Sequence, residues 1–205
     1  MPVITISRQF GAGGKTLGEM VTKQLHYSFY DDHVIQMVAV EAKVSPRWVQ
    51  SVETEAGGTL LKFISRFGRK SFLERITTGT GGYIDEEIYV DLLGKIISGI
   101  AKEGDAVILG RGSQYILSDF KDALHVLLIA ERADRIRFME THYGLSTHRA
   151  ESIVGRQEKR RVNLYRKLGK QDYDQPGLYH LVLNTSKLSL EAACNHICML
   201  AQTSD

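Results

Sequence analysis

Val3-Ile4-Thr5-Ile6-Ser7-Arg8-Gln9-Phe10-Gly11-Ala12-Gly13-Gly14-Lys15-Thr16 decides the fold. The β-branched run from Val3 to Ile6 ends in a glycine-dense turn. Leu17, Met20, Val21, Gln24 and Leu25 begin a helix at once. Strand, glycine loop and helix together wrap backbone N–H groups around a phosphate, because glycine permits close approach and the positive end of the helix dipole faces the anion. The alternative is a strand-to-helix turn that holds no ligand.

Two registers of the phosphate-loop pattern fit this stretch. With Gly14-Lys15-Thr16 as its GK[ST] end, Gln9 stands where the first glycine belongs. With Gly11-Ala12-Gly13 as its GxG core, the lysine slot falls on Gly14 and the hydroxyl slot on Lys15. Either register puts Lys15 beside the bound phosphates, and the spacing does not choose between them.

Outward from the loop, Ser28–Tyr30, Ala106–Leu109, Leu124–Ile129 and Leu181–Leu183 read as further strands, with helical patterns between them. This alternation predicts an α/β fold with a doubly wound parallel sheet of about five strands. Val107-Ile108-Leu109 and Val126-Leu127-Leu128-Ile129 are apolar without alternation, as in strands covered on both faces. Ligands of such sheets bind beyond the carboxyl ends of the strands, where the Gly11 loop, Asp31, Arg111 and Glu131 fall. Leu92, Leu93, Ile96, Ile97 and Ile100 stripe a helix over Ile88–Ala101.

The 205 residues fit a single domain, 1–205. Apolar residues make up 43% and charged residues 24%, an ordinary soluble composition. A net charge of +2 does not suggest a nucleic-acid or membrane partner. Neither a secretory h-region nor an apolar run of membrane-spanning length is seen, and reduced Cys194 and Cys198 on the buried stripe of a helix suit a cytoplasmic protein. Residues 44–84, punctuated by Pro46, Gly57-Gly58 and Gly81-Gly82, read as an acceptor-side insertion carrying Arg66, Arg69, Lys70 and Arg75, or equally as a solvated helical face. Leu60, Leu61, Phe63, Ile64 and Phe67 form an apolar face for a second copy in a homodimer or for the core. Residues 148–170 read as one basic helix, on which Arg156, Lys159 and Arg160 can converge on an anion.

The stretch Ile4 to Lys15 resembles the start of the cytidylate kinase-like proteins, relatives of bacterial CMP kinase. The similarity continues at Phe29-Tyr30-Asp31, Val107-Ile108-Leu109-Gly110-Arg111-Gly112, Glu158-Lys159-Arg160-Arg161 and Tyr179 to Ser186. It implies a P-loop NTPase three-layer fold with a helical lid (148–170) and ATP-dependent phosphoryl transfer to a nucleoside monophosphate, CMP or dCMP. By position, Gly11, Ala12, Gly13, Gly14, Lys15 and Thr16 would cradle the ATP phosphates. Asp31 would lie near the acceptor nucleoside and Arg111 would bind its phosphate. Arg156, Lys159, Arg160 and Arg161 would be lid cations, with Lys15, Arg111, Arg160 and Arg161 acting on the transferring group. The Thr16 hydroxyl is the candidate Mg²⁺ ligand, with Ser7 behind it. Gly112 replaces an aspartate that helps recognise the acceptor in CMP kinases, and Arg8-Gln9 replace a Gly-Pro step. Two further readings therefore stand beside the first: a nucleotide-binding regulatory protein without turnover, and a kinase of another small metabolite.

Overall fold

The computed structural model of the chain describes residues 2–42, 86–171 and 173–203. The expected insertion 44–84, with its cations and apolar face, lies outside these residues. Among the described residues there are five strands: β1 Val3–Arg8, β2 Ser28–Tyr30, β3 Ala106–Leu109, β4 Ala123–Ile129 and β5 Leu181–Asn184. All neighbours pair parallel in the order β2-β3-β1-β4-β5. Parallel neighbours need crossovers, and the helices supply them. Among the described residues they are α1 Gly14–Leu25, α2 His33–Glu41, α3 Glu86–Glu103, α4 Ser113–Ile116, α5 Arg132–Tyr143, α6 Thr147–Lys167 and α7 Leu190–Gln202.

Side chains alternate across a strand, so the sheet has two cores. Ile4 and Ile6 of β1 join Val107, Leu109, Val126 and Leu128 against Leu17 and Val21 of α1 and Ile197 of α7. Val3, Ala106 and Ile108 point the other way, onto Val34, Ile35 and Val38 of α2 and Leu93 and Ile97 of α3. The stripe expected over Ile88–Ala101 is the buried face of α3. A smaller cluster of Ile136, Met139, Ala150 and Val154 joins α5 to α6, with Phe10 packed on it.

A few polar groups sit inside this apolar frame and are paired there. Thr5 and His125 face each other on β1 and β4, with Oγ1 and Nδ1 2.7 Å apart. Cys194 and Cys198 are buried on α7 with their sulfurs 3.9 Å apart. Among the described residues no helix is long and apolar enough to cross a membrane.

Candidate active site

Strand β1 has β3 on one side and β4 on the other, and the chain leaves it through the Gln9–Gly13 loop into α1. Loops of successive crossovers part at such a switch, leaving a crevice at the carboxyl edge of the sheet. A cavity of about 360 Å³ occupies that edge, within the range of small-ligand sites. The loop and first turn of α1 (Gly11, Gly13, Gly14, Lys15, Thr16), Asp31 and Asp32 after β2, and Arg111 after β3 line it. Arg8 and, from α6, Gln157, Arg160, Arg161, Leu164 and Tyr165 line it too, with Phe138, Met139 and Tyr143 of α5 adding an apolar side.

The loop is held from several sides. Gln9 N–H donates to the Leu128 carbonyl at 3.0 Å, and the Gln9 side-chain oxygen accepts from Ala130 N–H, also at 3.0 Å. Phe10 N–H donates to Glu158 of α6 at 3.2 Å, and Arg135 of α5 donates to the Phe10 carbonyl at 3.4 Å. Thr185 Oγ1 donates to the Ala12 carbonyl at 3.2 Å. Left-handed backbone at Gly11 (φ +90°) and Gly13 (φ +81°) curls the loop into the α1 N-terminus, the shape in which successive N–H groups form an anion cradle. The helix starts at Gly14, so Lys15 and Thr16 lie in its first turn.

Opposite the loop, Gly110, Arg111 and Gly112 all have positive φ (+72°, +59° and +70°). This corner turns Arg111 back over the sheet edge, where its Nη2 donates to Asp32 Oδ1 at 2.8 Å. A non-glycine residue in that conformation costs on the order of 1–2 kcal/mol, strain of the kind that collects at functional sites. Gly112 also has a packing reason to be glycine, since a Cβ there would overlap the Leu168 side chain.

Charge in the cleft is dense and mixed. Lys15 Nζ is 4.0 Å from Asp31 Oδ2. Burial and Asp32 push the Asp31 carboxyl above its ordinary range, while Arg8, Arg111 and Lys15 pull it back. Arg161 is committed elsewhere. It donates to both oxygens of Asp174, at 2.7 Å to Oδ1 and 2.6 Å to Oδ2, and to Glu158. Burial opposes its charge, but the Asp174 hydrogen bonds, Tyr165 and Glu158 outweigh that and raise its pKa. The Arg161 guanidinium also stands 5.3 Å from the Tyr165 ring centroid.

The cleft brings together Gly11, Gly13, Gly14, Lys15, Thr16, Asp31, Arg111, Arg160 and Arg161. Arg156 and Lys159 lie on α6 outside the residues that line it, while Arg160 lines it. Ala12 lines a second, smaller recess instead, about 120 Å³, with Ala130, Phe138, Thr185, Leu188 and Leu190. Ser7, the second candidate for a metal ligand, is buried with its hydroxyl 3.3 Å from Tyr165 Oη and does not itself line the cleft. Arg8 and Tyr165 also line the cleft, and the sequence pattern does not single them out. The signals for Arg8 are its place in the replaced Gly-Pro step and a charged residue closing an otherwise buried strand; Tyr165 carries none.

A sequence profile described as the cytidylate kinase-like family matches residues 3–187. The chain belongs to the cytidylate kinase-like family. Curated protein sequences contain no match to it. Among solved structures, an uncharacterized protein from Eubacterium ventriosum superposes with a TM-score of 0.68 at 14% identity, covering 99% of each chain. Shikimate kinase from Bacteroides thetaiotaomicron gives 0.51 at 16% identity and 98% of each chain. Shikimate kinase from Acinetobacter baumannii in complex with shikimate gives 0.52 at 14%, covering 100% of this chain and 95% of that one. The fold of this cytidylate kinase-like protein is thus the P-loop kinase fold, a five-stranded parallel sheet between helices.

Proposed function

We propose that this protein transfers the γ-phosphoryl group of ATP to a nucleoside monophosphate, with CMP and dCMP the first acceptors to try. The observation that carries the reading is the facing arrangement in one cleft. The glycine loop and α1 N-terminus form one wall, and Arg111 and Arg160 stand on others. Phosphoryl transfer asks for alignment of donor and acceptor and neutralisation of spreading negative charge, with little covalent work by the protein. The loop N–H groups would hold the donor phosphates. The recess beside Ala12, with Phe138, Leu188 and Leu190 in its wall, would take the donor base. Arg111 would hold the acceptor phosphate in line, and α6, lying along the cleft, would keep water from the transferring group.

The Thr16 hydroxyl with the Asp31 and Asp32 carboxylates is a hard-oxygen donor set of the kind Mg²⁺ accepts beside nucleotide phosphates. When bound, the ion would supply positive charge to the phosphate oxygens. Asp31, half-buried after β2, would also reach the acceptor nucleoside as a hydrogen-bond acceptor.

The test is an ADP-release assay with Mg·ATP against a panel of nucleoside monophosphates. Stimulation by CMP or dCMP alone supports the reading, and no stimulation by any member overturns it. A kinase of another small metabolite is the second reading. It is favoured by Gly112, where Leu168 fills the space that an acceptor-recognising aspartate would need. Shikimate, the ligand of one structural neighbour, belongs in the same panel.

A further inference from the structure

We infer that Arg8 is the phosphate-contacting cation of this loop, supplying from the end of β1 the charge that the phosphate-loop pattern places on the helix at position 14. The inference rests on the nucleotide-binding reading above and names which side chain of that site meets the donor's terminal phosphates.

The first observation is register. Gly13 caps α1 and Gly14 is its first residue. With Gly13-Gly14 in the pattern's Gly-Lys slots, counting back through GxxxxGK puts the first glycine at position 8. This chain has Arg8 where that glycine belongs and Gly14 where the lysine belongs. The glycine and the cation have changed places.

The second observation is contact between those two positions. A Cβ built on Gly14 would lie 2.8 Å from Arg8 Cγ and 3.3 Å from its Cβ and Cδ. The Arg8 stem therefore fills the space where a side chain at 14 would begin. Further on, a Cβ on Gly110 would overlap Arg8 Nη1, so the guanidinium passes over Gly110 toward Arg111. Glycine at 14 and at 110 is what lets this long side chain cross the cleft floor.

The third observation is charge. Burial, Arg111 and Arg161 all act against the Arg8 cation, while Tyr165 and Asp31 favour it. Arginine stays protonated even so. Cations gathered around a buried guanidinium make a place that an anion stabilises. Lys15 is poorly placed for the task, since its side chain is 56% exposed and its ammonium lies 4.0 Å from Asp31. A planar guanidinium offers paired donors to two phosphate oxygens, which a lysine cannot.

The test measures binding of a non-hydrolysable ATP analogue with Mg²⁺, and separately of CMP, by calorimetry. The variants are Arg8→Gly, Arg8→Met (which keeps the stem over Gly14), Gly14→Lys and the double exchange R8G/G14K. Circular dichroism verifies the fold of each. R8G and R8M should lose about tenfold or more in affinity for the triphosphate, the effect of one charged hydrogen-bond pair, with less than about threefold change for CMP. G14K alone should also weaken binding, because its side chain collides with Arg8. The double exchange should recover most of the loss, which a purely structural role of Arg8 would not produce. If R8M binds the triphosphate like wild type, or if the loss falls on CMP, the inference is overturned. A folded double exchange that binds no better than R8G would overturn it too. Wild-type protein that binds no triphosphate would overturn the underlying reading as well.

Discussion

Replacing Glu158 with glutamine should loosen the tie between the glycine loop and α6. Glu158 accepts from Phe10 N–H at 3.2 Å, lies 3.5 Å from Arg135 Nη1, and accepts from Arg161. Arg135 has a side-chain exposure of only 12%, and Glu158 is the carboxylate that offsets its burial. Removing one member of a buried ion pair costs about 3–5 kcal/mol. Glu158 itself is 28% exposed, and Arg161 keeps Asp174, so solvent and the second carboxylate absorb part of this. About 2 kcal/mol remains as the expected loss, allowing for screening. For a chain of this length that corresponds to a fall in Tm of about 4–8 °C. Urea denaturation and thermal melting of wild type, E158Q, R135Q and the double variant would measure it. A coupling of more than about 0.5 kcal/mol between positions 135 and 158 is expected. A loss below about 0.5 kcal/mol in E158Q, or strict additivity, would refute the reasoning.

Three other outcomes are expected. Arg111→Ala should lower turnover by about a hundredfold in the ADP-release assay, the scale of one transition-state charge partner. Circular dichroism would verify that the variant stays folded, since the Arg111 side chain is itself only 13% exposed; full activity would remove Arg111 from the mechanism. Gly112→Asp should cost about 2–4 kcal/mol in urea, combining left-handed strain with overlap on Leu168. Adding Leu168→Ala should return part of that, and an unchanged midpoint in the single variant would count against the packing argument. His125 has its pKa held below the ordinary histidine value by burial and by His180. The unfolded chain therefore takes up this proton first, so stability should be full above about pH 6.5 and decline as pH falls below it. Thermal melts of His125→Gln should show a shallower decline, and identical slopes would exclude the residue as the source.

Much of the fold is legible because its strands announce themselves. Val107-Ile108-Leu109 send side chains into both cores and Val126-Leu127-Leu128 are buried throughout, and an unbroken apolar run is what such burial leaves in a sequence. Spacing alone does not decide the start of α1 at Gly14, since two registers share the same glycines. The cations of α6 show a different limit. Arg156, Lys159 and Arg160 sit close together in helical projection, yet the cleft takes the face of Gln157, Arg160, Arg161, Leu164 and Tyr165, with Arg160 at its edge. Which side of a helix meets a cavity depends on how it packs, here through Val154 and Leu164. Arg161 reads as a lid cation in the sequence, but its main partner Asp174 lies thirteen residues on, beyond any local pattern. The Gly112 departure is visible as a difference, while its left-handed backbone and its contact with Leu168 need three dimensions.

The sulfur pair on α7 offers a built-in stopwatch. Burial pushes the Cys198 thiol up to about 12 and raises Cys194 as well, so neither is an accessible thiolate near neutrality. An aromatic disulfide reagent should react with them only when α7 lifts from the sheet. The dye released over time would then report how often this edge of the protein breathes, without any added label.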